Sequence, residues 1–364
     1  MTEHSTRLIA GCMTGTSLDA VDAALVRIEG RGLGMRVSLV RTASAPLGSL
    51  GKLLRPAVEQ KRLSAEKFTI LGHLLGRKHV VVLKDLIGSD TLDLISVHGQ
   101  TVFHRPAFSW QLIDPMVIAH GLGVPVVYDL RGADLASGGR GAPITPLADH
   151  VLFRHETETR LILNLGGFIN ATWLPPTKHE GDAALQSIRG SDICACNQLL
   201  DAIARDQFKT PFDEGGRLAL EGRVDPEAEQ MLLELLQAQA EDNRSLGTGD
   251  EARDWIRMFD GECDGRDLAR TACAAIARVV AQNAGEADRI IVFGGGMKNQ
   301  ALIEELRSRL GEIEPGDAFG VPGQHREALA MGILGALSQD RVPITLPQVT
   351  GVRKAPVAGA WIYP

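Results

Sequence analysis

The sequence predicts an α/β protein built from two similar halves. Short apolar runs alternate with longer amphipathic stretches, the signature of strands and helices in one chain. The length of 364 residues suits about two domains. A strand–glycine turn–strand pattern also occurs once in each half, at Ile9–Ser17 and at Leu163–Asn170. Two unrelated hairpins would look the same, so the echo alone leaves both readings open.

The first half opens with three strand-like runs, Leu8–Met13, Val21–Ile28 and Met35–Ala43, joined by short glycine-containing connections. That spacing reads as an antiparallel meander. Ser64 is a helix N-cap for the run to Leu86, with Phe68, Leu71, Leu75 and Val82 on one face. Leu92–His98 reads as a strand, Asp114–Gly121 as a helix and Pro125–Asp129 as a strand. In the second half, Leu161–Asn164 and Phe168–Leu174 are strands around Gly166-Gly167. Helices follow at Asn197–Arg205, Asp225–Ala240 and Leu268–Asn283. Arg289–Phe293 is a buried strand running into Gly294-Gly295-Gly296, followed by helices at Asn299–Leu310 and His325–Leu337. The tail from Val342 reads as irregular.

Composition narrows the function. Hydrophobic residues at 44% and charged residues at 23% exclude a disordered or collagen-like chain. A net charge of −7 offers no footprint for nucleic acid, so none is expected as a partner. No apolar run approaches the ~20 residues that span a membrane. The five cysteines, Cys12, Cys194, Cys196, Cys263 and Cys273, show no disulfide spacing, and Met1–Arg7 is short and polar. Reduced thiols, no signal peptide and a cytoplasmic location are expected.

Four segments could carry chemistry. Thr14, Gly15, Thr16 and Ser17 combine backbone freedom with hydroxyl donors, and Asp19 and Asp22 could hold a hydrated divalent cation beside phosphates. A polar hairpin turn would use the same residues. Asn164, Gly166 and Gly167 allow close backbone approach, as does any tight hairpin. Gly294, Gly295 and Gly296 between a strand and a helix can cradle a base or sugar, with Asn299 opening the helix. His98, Gln100 and Thr101 sit at a strand's carboxyl end, the usual ligand crevice of α/β sheets. Gln111, Asp114, Asp129, Arg131 and Asp134 follow, and Arg pairs bidentately with carboxylates. Asp192, at what reads as a loop-to-helix junction, is on its own a helix cap. No Walker, dinucleotide, Ser–His–Asp or metalloprotease pattern is present.

Taken in order, these segments resemble the anhydro-N-acetylmuramic acid kinases. The matching residues are Gly11-x-Met13-Thr14-Gly15-Thr16-Ser17-Leu18-Asp19-x-Val21-Asp22, His98-Gly99-Gln100-Thr101-Val102-Phe103-His104-Arg105-Pro106 and Gln111-Leu112-x-Asp114. They continue through Asp129-x-Arg131-x-x-Asp134, Leu163–Asn170, Gly294–Asn299, Arg326-Glu327-Ala328 and the closing Ile362-Tyr363-Pro364. The resemblance covers essentially the whole chain. It implies two actin-like (RNase-H-like) domains with a central interdomain cleft, placed at 1–135, with part of 325–364 packing back, and at 136–364. It implies ATP and Mg²⁺ as cofactors, no membrane partner, and a possible homodimer. The implied reaction hydrolytically opens 1,6-anhydro-N-acetylmuramic acid and phosphorylates it to N-acetylmuramic acid 6-phosphate, in murein recycling. Asp192 would be the catalytic base. The three glycine turns with Asn164 and Asn299 would hold nucleotide, and Asp19 and Asp22 the metal through water. The His98–Asp134 clusters and Glu327 would hold sugar.

The sequence departs from the family after Asp192. Where relatives carry Thr-Gly-Pro-Gly-Asn, it reads Ile193-Cys194-Ala195-Cys196-Asn197. Side chains at Cys194 and Cys196 would crowd a ligand that approaches those glycines. A non-catalytic binding homologue, or a kinase for a different sugar, is the alternative this motivates.

Overall fold

The computed structural model describes residues 6–15, 17–177, 182–241, 246, 249–250 and 252–364. The strands are β1 (Thr6–Thr14), β2 (Ala20–Glu29), β3 (Arg36–Pro46), β4 (Leu94–His98), β5 (Gln100–Arg105), β6 (Phe108–Leu112) and β7 (Val126–Tyr128). They continue as β8 (Arg160–Leu165), β9 (Phe168–Leu174), β10 (Arg189–Ala195), β11 (Arg289–Phe293), β12 (Glu314–Pro315) and β13 (Ala360–Ile362). The chain forms two compact units, one of Met1–Arg154, His179–Ser187 and His325–Pro364, the other of His155–Lys178 and Ile188–Gln324. Residues 136–154 group with the first unit, as do residues 325–364, part of which the sequence reading has packing back onto it.

The first unit holds a sheet ordered β13-β7-β4-β1-β2-β3. β1, β2 and β3 form the expected meander, and β4 and β7 run parallel to β1. The tail is less irregular than the sequence reads, since β13 pairs antiparallel with β7. The second unit's sheet is ordered β10-β9-β8-β11-β12. Again three strands form a meander, and β11 and β12 run parallel to β8. Both sheets therefore share the strand order and directions of the RNase-H-like, actin-like fold. The twice-occurring glycine hairpin is the β1–β2 turn of one unit and the β8–β9 turn of the other.

Helices cover both faces of the first sheet. Ser64 accepts a hydrogen bond from the Lys67 N–H, starting the helix Ala65–Ile87 as its sequence predicts. Leu71, Leu75, Val82, Leu83 and Leu86 bury its inner face against Ala10, Cys12, Ile95 and Val97. On the other face lies the helix Arg326–Gln339, packed against β1, β2 and β4. The contact is backbone against backbone: a Cβ at Gly11 would sit 2.0 Å from the Ala328 carbonyl oxygen and 2.3 Å from the Gly332 nitrogen. This approach ties the carboxyl-terminal helix to the amino-terminal strand. In the second unit, the helix Gly265–Ala284 buries Leu268, Ala272, Ile276 and Val280 in a core shared with β8, β9 and β10.

Candidate active site

Strand register brings the sequence's polar residues into rows. In the first unit Ser44, Asp22, Met13 and His98 lie opposite one another across β3, β2, β1 and β4. This row ends the sheet on the face that carries Gly11 and the helix Arg326–Gln339. Glu327 opens that helix. Thr14 points to the other face and is 3% exposed, and its hydroxyl has no hydrogen-bond partner among the described residues. A buried hydroxyl without a partner is costly unless a ligand supplies one. Gly15, Ser17 and Asp19 form the exposed turn beyond it, and Thr16 lies outside the described residues. The turn is held by the Leu18 N–H donating to the Gly15 carbonyl, with Leu18 itself at φ 61°.

His98 is built into the fold. Its Nε2 accepts from Arg131 Nε at 3.1 Å, so the neutral ring carries its proton on Nδ1. Burial, and then the Arg131 charge, push its pKa down to about 3. Nδ1 has no partner among the described residues, nor has Oε1 of the fully buried Gln100. The β5–β6 hairpin, which the sequence reading does not assign as strands, adds a second row. Gln111 Nε2 donates to Thr101 Oγ1 at 3.4 Å and to Ser109 Oγ at 2.7 Å, and His104 Nδ1 bonds Ser109 Oγ at 2.9 Å. Its opposite face puts Phe103, Phe108 and Trp110 around a cavity of about 690 Å³.

The remaining acids divide. Asp129, at φ 49°, accepts from the Gly132 N–H and shapes the turn that carries Arg131. Asp114 caps the helix Pro115–Leu122 by accepting from Met116 and Val117, and faces His73 at 3.5 Å. Asp134 is fully buried, and its oxygens accept from the Gly141 N–H and the Thr350 hydroxyl, both at 2.8 Å. The structure therefore places Asp114 and Asp134 as anchors of backbone segments, while Arg131 meets His98 and Gln111 meets Thr101.

The second unit repeats the row. Asp192, Asn170, Asn164 and Phe293 lie opposite one another across β10, β9, β8 and β11. Asp192 is thus a strand residue, not the loop-to-helix cap its sequence suggests, because β10 pairs along β9 up to a bulge just after it. It is 8% exposed, and it accepts from Asn170 Nδ2 and from the Leu246 N–H at 2.8 Å. The sequence reading did not single out Asn170, whose only signal was its place in the Leu163–Asn170 motif.

Beside this row three backbone segments meet. The amides of Cys196 and Gln198 donate to the Gly167 carbonyl, and that of Asn197 to the Gly166 carbonyl. Gly294 has φ 93°, and a Cβ there would lie 2.6 Å from the Leu165 carbonyl oxygen and 2.9 Å from Asn164 Oδ1. Asn197 Nδ2 also donates to the Leu165 oxygen, and a Cβ at Gly295 would meet only Asn197, at 3.6 Å. Asn299 caps the helix Gln300–Leu310 by accepting from the Leu302 N–H at 3.0 Å. Gly166, Gly167, Gly294 and Gly295 are at least partly exposed beside a helix N-terminus, the arrangement that accepts phosphates, while Gly296 is buried beneath them against Leu165.

The departure after Asp192 is absorbed by the core. Ile193, Cys194, Ala195 and Cys196 are all buried among the second unit's apolar side chains. The two thiols do not stand over the Asp192 face, because their side chains are taken into that core. Burial pushes both thiol pKa values up.

Two sheets of this topology, each carrying a glycine hairpin beside polar residues, define the actin-like, RNase-H-like class of fold. The chain belongs to the anhydro-N-acetylmuramic acid kinase family, whose family profile, described as "Anhydro-N-acetylmuramic acid kinase", matches residues 7–364. It is 33% identical to the anhydro-N-acetylmuramic acid kinase of Salinibacter ruber, over 99% of this chain and 97% of that one. It is 34% identical to that of Bordetella pertussis, over 98% and 96%. Among solved structures, component A of (R)-2-hydroxyglutaryl-CoA dehydratase from Acidaminococcus fermentans aligns with a TM-score of 0.47 at 13% identity, covering 91% of this chain and 98% of that one. Among the described residues no helix is long and apolar enough to cross a membrane.

Proposed function

We propose that this sugar kinase opens the 1,6-anhydro ring of N-acetylmuramic acid and phosphorylates it with ATP, with Asp192 as the base. Asp192 supports this reading because it is a buried carboxylate held by two donors beside a glycine-lined surface. An anhydro sugar has no free 6-hydroxyl. Asp192 takes a proton from water, the water oxygen bonds to the anomeric carbon, and the bond from that carbon to the 6-oxygen breaks. The freed 6-oxygen then bonds to the γ-phosphorus as ADP leaves. Base catalysis of this kind needs only an ionised carboxylate within reach of the water.

The glycine turn of each unit is a nucleotide-binding segment in this reading, and the Thr14 hydroxyl, without a partner among the described residues, suits a phosphate oxygen. Asp19, in the β1–β2 turn, and Asp22, on β2, would hold Mg²⁺ through water, since Mg²⁺ keeps several waters and takes one or two carboxylates. The ion would supply charge neutralisation for the phosphates. His98 Nδ1 and Gln100 Oε1, buried and without partners among the described residues, give a donor and an acceptor for sugar hydroxyls, and Arg131 a positive charge for the lactyl carboxylate. The buried Cys194 and Cys196 leave the altered segment compatible with catalysis.

The Asp192→Asn variant tests the assignment. It should lose turnover while nucleotide binding, read by calorimetry, stays at the wild-type level. Turnover by that variant at the wild-type rate would refute the base assignment.

A further inference from the structure

Asp192 is not held by its own strand. Asn170 stands directly opposite it on β9 and donates from Nδ2 to one carboxylate oxygen, and the Leu246 N–H donates to the other at 2.8 Å. Asn164 stands opposite Asn170 on β8, and Gly294 leaves no room for a side chain against Asn164. A carboxylate this buried would by desolvation alone favour the protonated acid. Donors on each oxygen oppose that, because they bond the ionised form. The Leu246 donor is backbone, and the Asn170 carboxamide is a side-chain donor that a substitution can remove. An aspartate at 170 would face Asp192 with a like charge, whereas a carboxamide offers it an N–H.

We propose that Asn170 is a positioning residue that fixes the orientation of Asp192 and keeps it ionised for proton abstraction. This rests on the assignment of Asp192 as the base.

The test is the pH dependence of kcat for Asn170→Ala, Asn170→Asp and Asn170→Ser, with Asp192→Asn alongside. The base must be ionised, so activity rises with pH through its pKa. Removing the donor raises that pKa. Asn170→Ala should move the acidic limb up by about one pH unit and lower kcat roughly 10- to 100-fold, the worth of one hydrogen bond to a charged group. KM for both substrates should be unchanged. Asn170→Asp should move the limb further, by like-charge repulsion. The serine hydroxyl should return part of the shift. Thermal melts identify any variant that fails to fold, and the serine and aspartate variants then carry the comparison.

A limb that stays in place in the folded variants overturns the proposal, whatever happens to kcat, because loss of packing alone would not move it. If Asp192→Asn keeps its activity, the base assignment fails and this inference with it. If Asp192→Asn is inactive and the limb is unmoved, only this inference fails.

Discussion

Arg131 is tied to the fold at two points. Its Nε holds His98, and its Nη1 reaches the Gly141 carbonyl at 3.4 Å. Lysine has no planar fork and cannot hold the ring while presenting charge to a carboxylate. Arg131→Lys should therefore raise KM for the sugar about tenfold or more and leave nucleotide affinity unchanged, as steady-state kinetics against each substrate would read. The cysteines give a second residue-scale check. Cys12, Cys194, Cys196 and Cys273 are buried and Cys263 is partly exposed. A thiol reagent added to the folded protein should modify Cys263 first, located by peptide mass spectrometry. Prompt modification of Cys194 or Cys196 would contradict their burial in the core. At this scale the sequence displays most of the site as polar residues at strand ends. What it does not display is which acids are taken up by the fold. Asp114, Asp129 and Asp134 look alike in the sequence, and only the amides and the Thr350 hydroxyl that engage them reveal their place. Asn170 is hidden for the same reason, since its partner is 22 residues away and meets it through strand register.

Among elements, the crossing of β1 and the helix Arg326–Gln339 is a close backbone-on-backbone contact. Gly11 and Gly332 let two backbones touch, and no rotamer relieves a Cβ placed 2.0 Å from a carbonyl oxygen. Gly11→Ala should destabilise the first unit by about 3 kcal/mol or more, beyond ordinary overpacking, seen as a lowered Tm or loss of soluble protein. An alanine variant with wild-type stability would contradict the contact. Elements with strong local signals were legible. The Ala65–Ile87 helix followed from its Ser64 cap and apolar face, and the meander from three β-rich runs with short turns. The β5–β6 hairpin and β10 were not. The hairpin begins in His98-Gly99-Gln100-Thr101, which looks like loop chemistry, and β10 carries Gly190, Ser191 and Asp192 among its apolar residues. Pairing across the sheet overrides that weak local preference.

At the scale of the molecule, two sheets of one topology explain why one glycine hairpin recurs, which the sequence alone leaves open. Buried neutral histidines set the chain's response to acid. Burial lowers His79 and His150 to about 4 and His98 to about 3, against an ordinary value of 6.5. Between those values the unfolded chain binds protons that the folded chain refuses. The stability from these groups is fully present above about pH 6.5 and is lost as pH falls toward about 4. Denaturant titrations across that window should show it, and His79→Leu should lessen the loss. Identical slopes for the two proteins would remove His79 from the account.

The central claim, ring opening by water coupled to phosphoryl transfer, is tested most directly by turnover in heavy-oxygen water. Protein, Mg-ATP and 1,6-anhydro-N-acetylmuramic acid are mixed, and the product is isolated quickly and fragmented by mass spectrometry. Unlabelled product kept in the same water serves as the exchange control. The account predicts one phosphoryl group on the 6-oxygen and one heavy oxygen at the anomeric carbon. A phosphorylated sugar without the heavy oxygen would contradict it, as would the absence of product from protein that binds ATP.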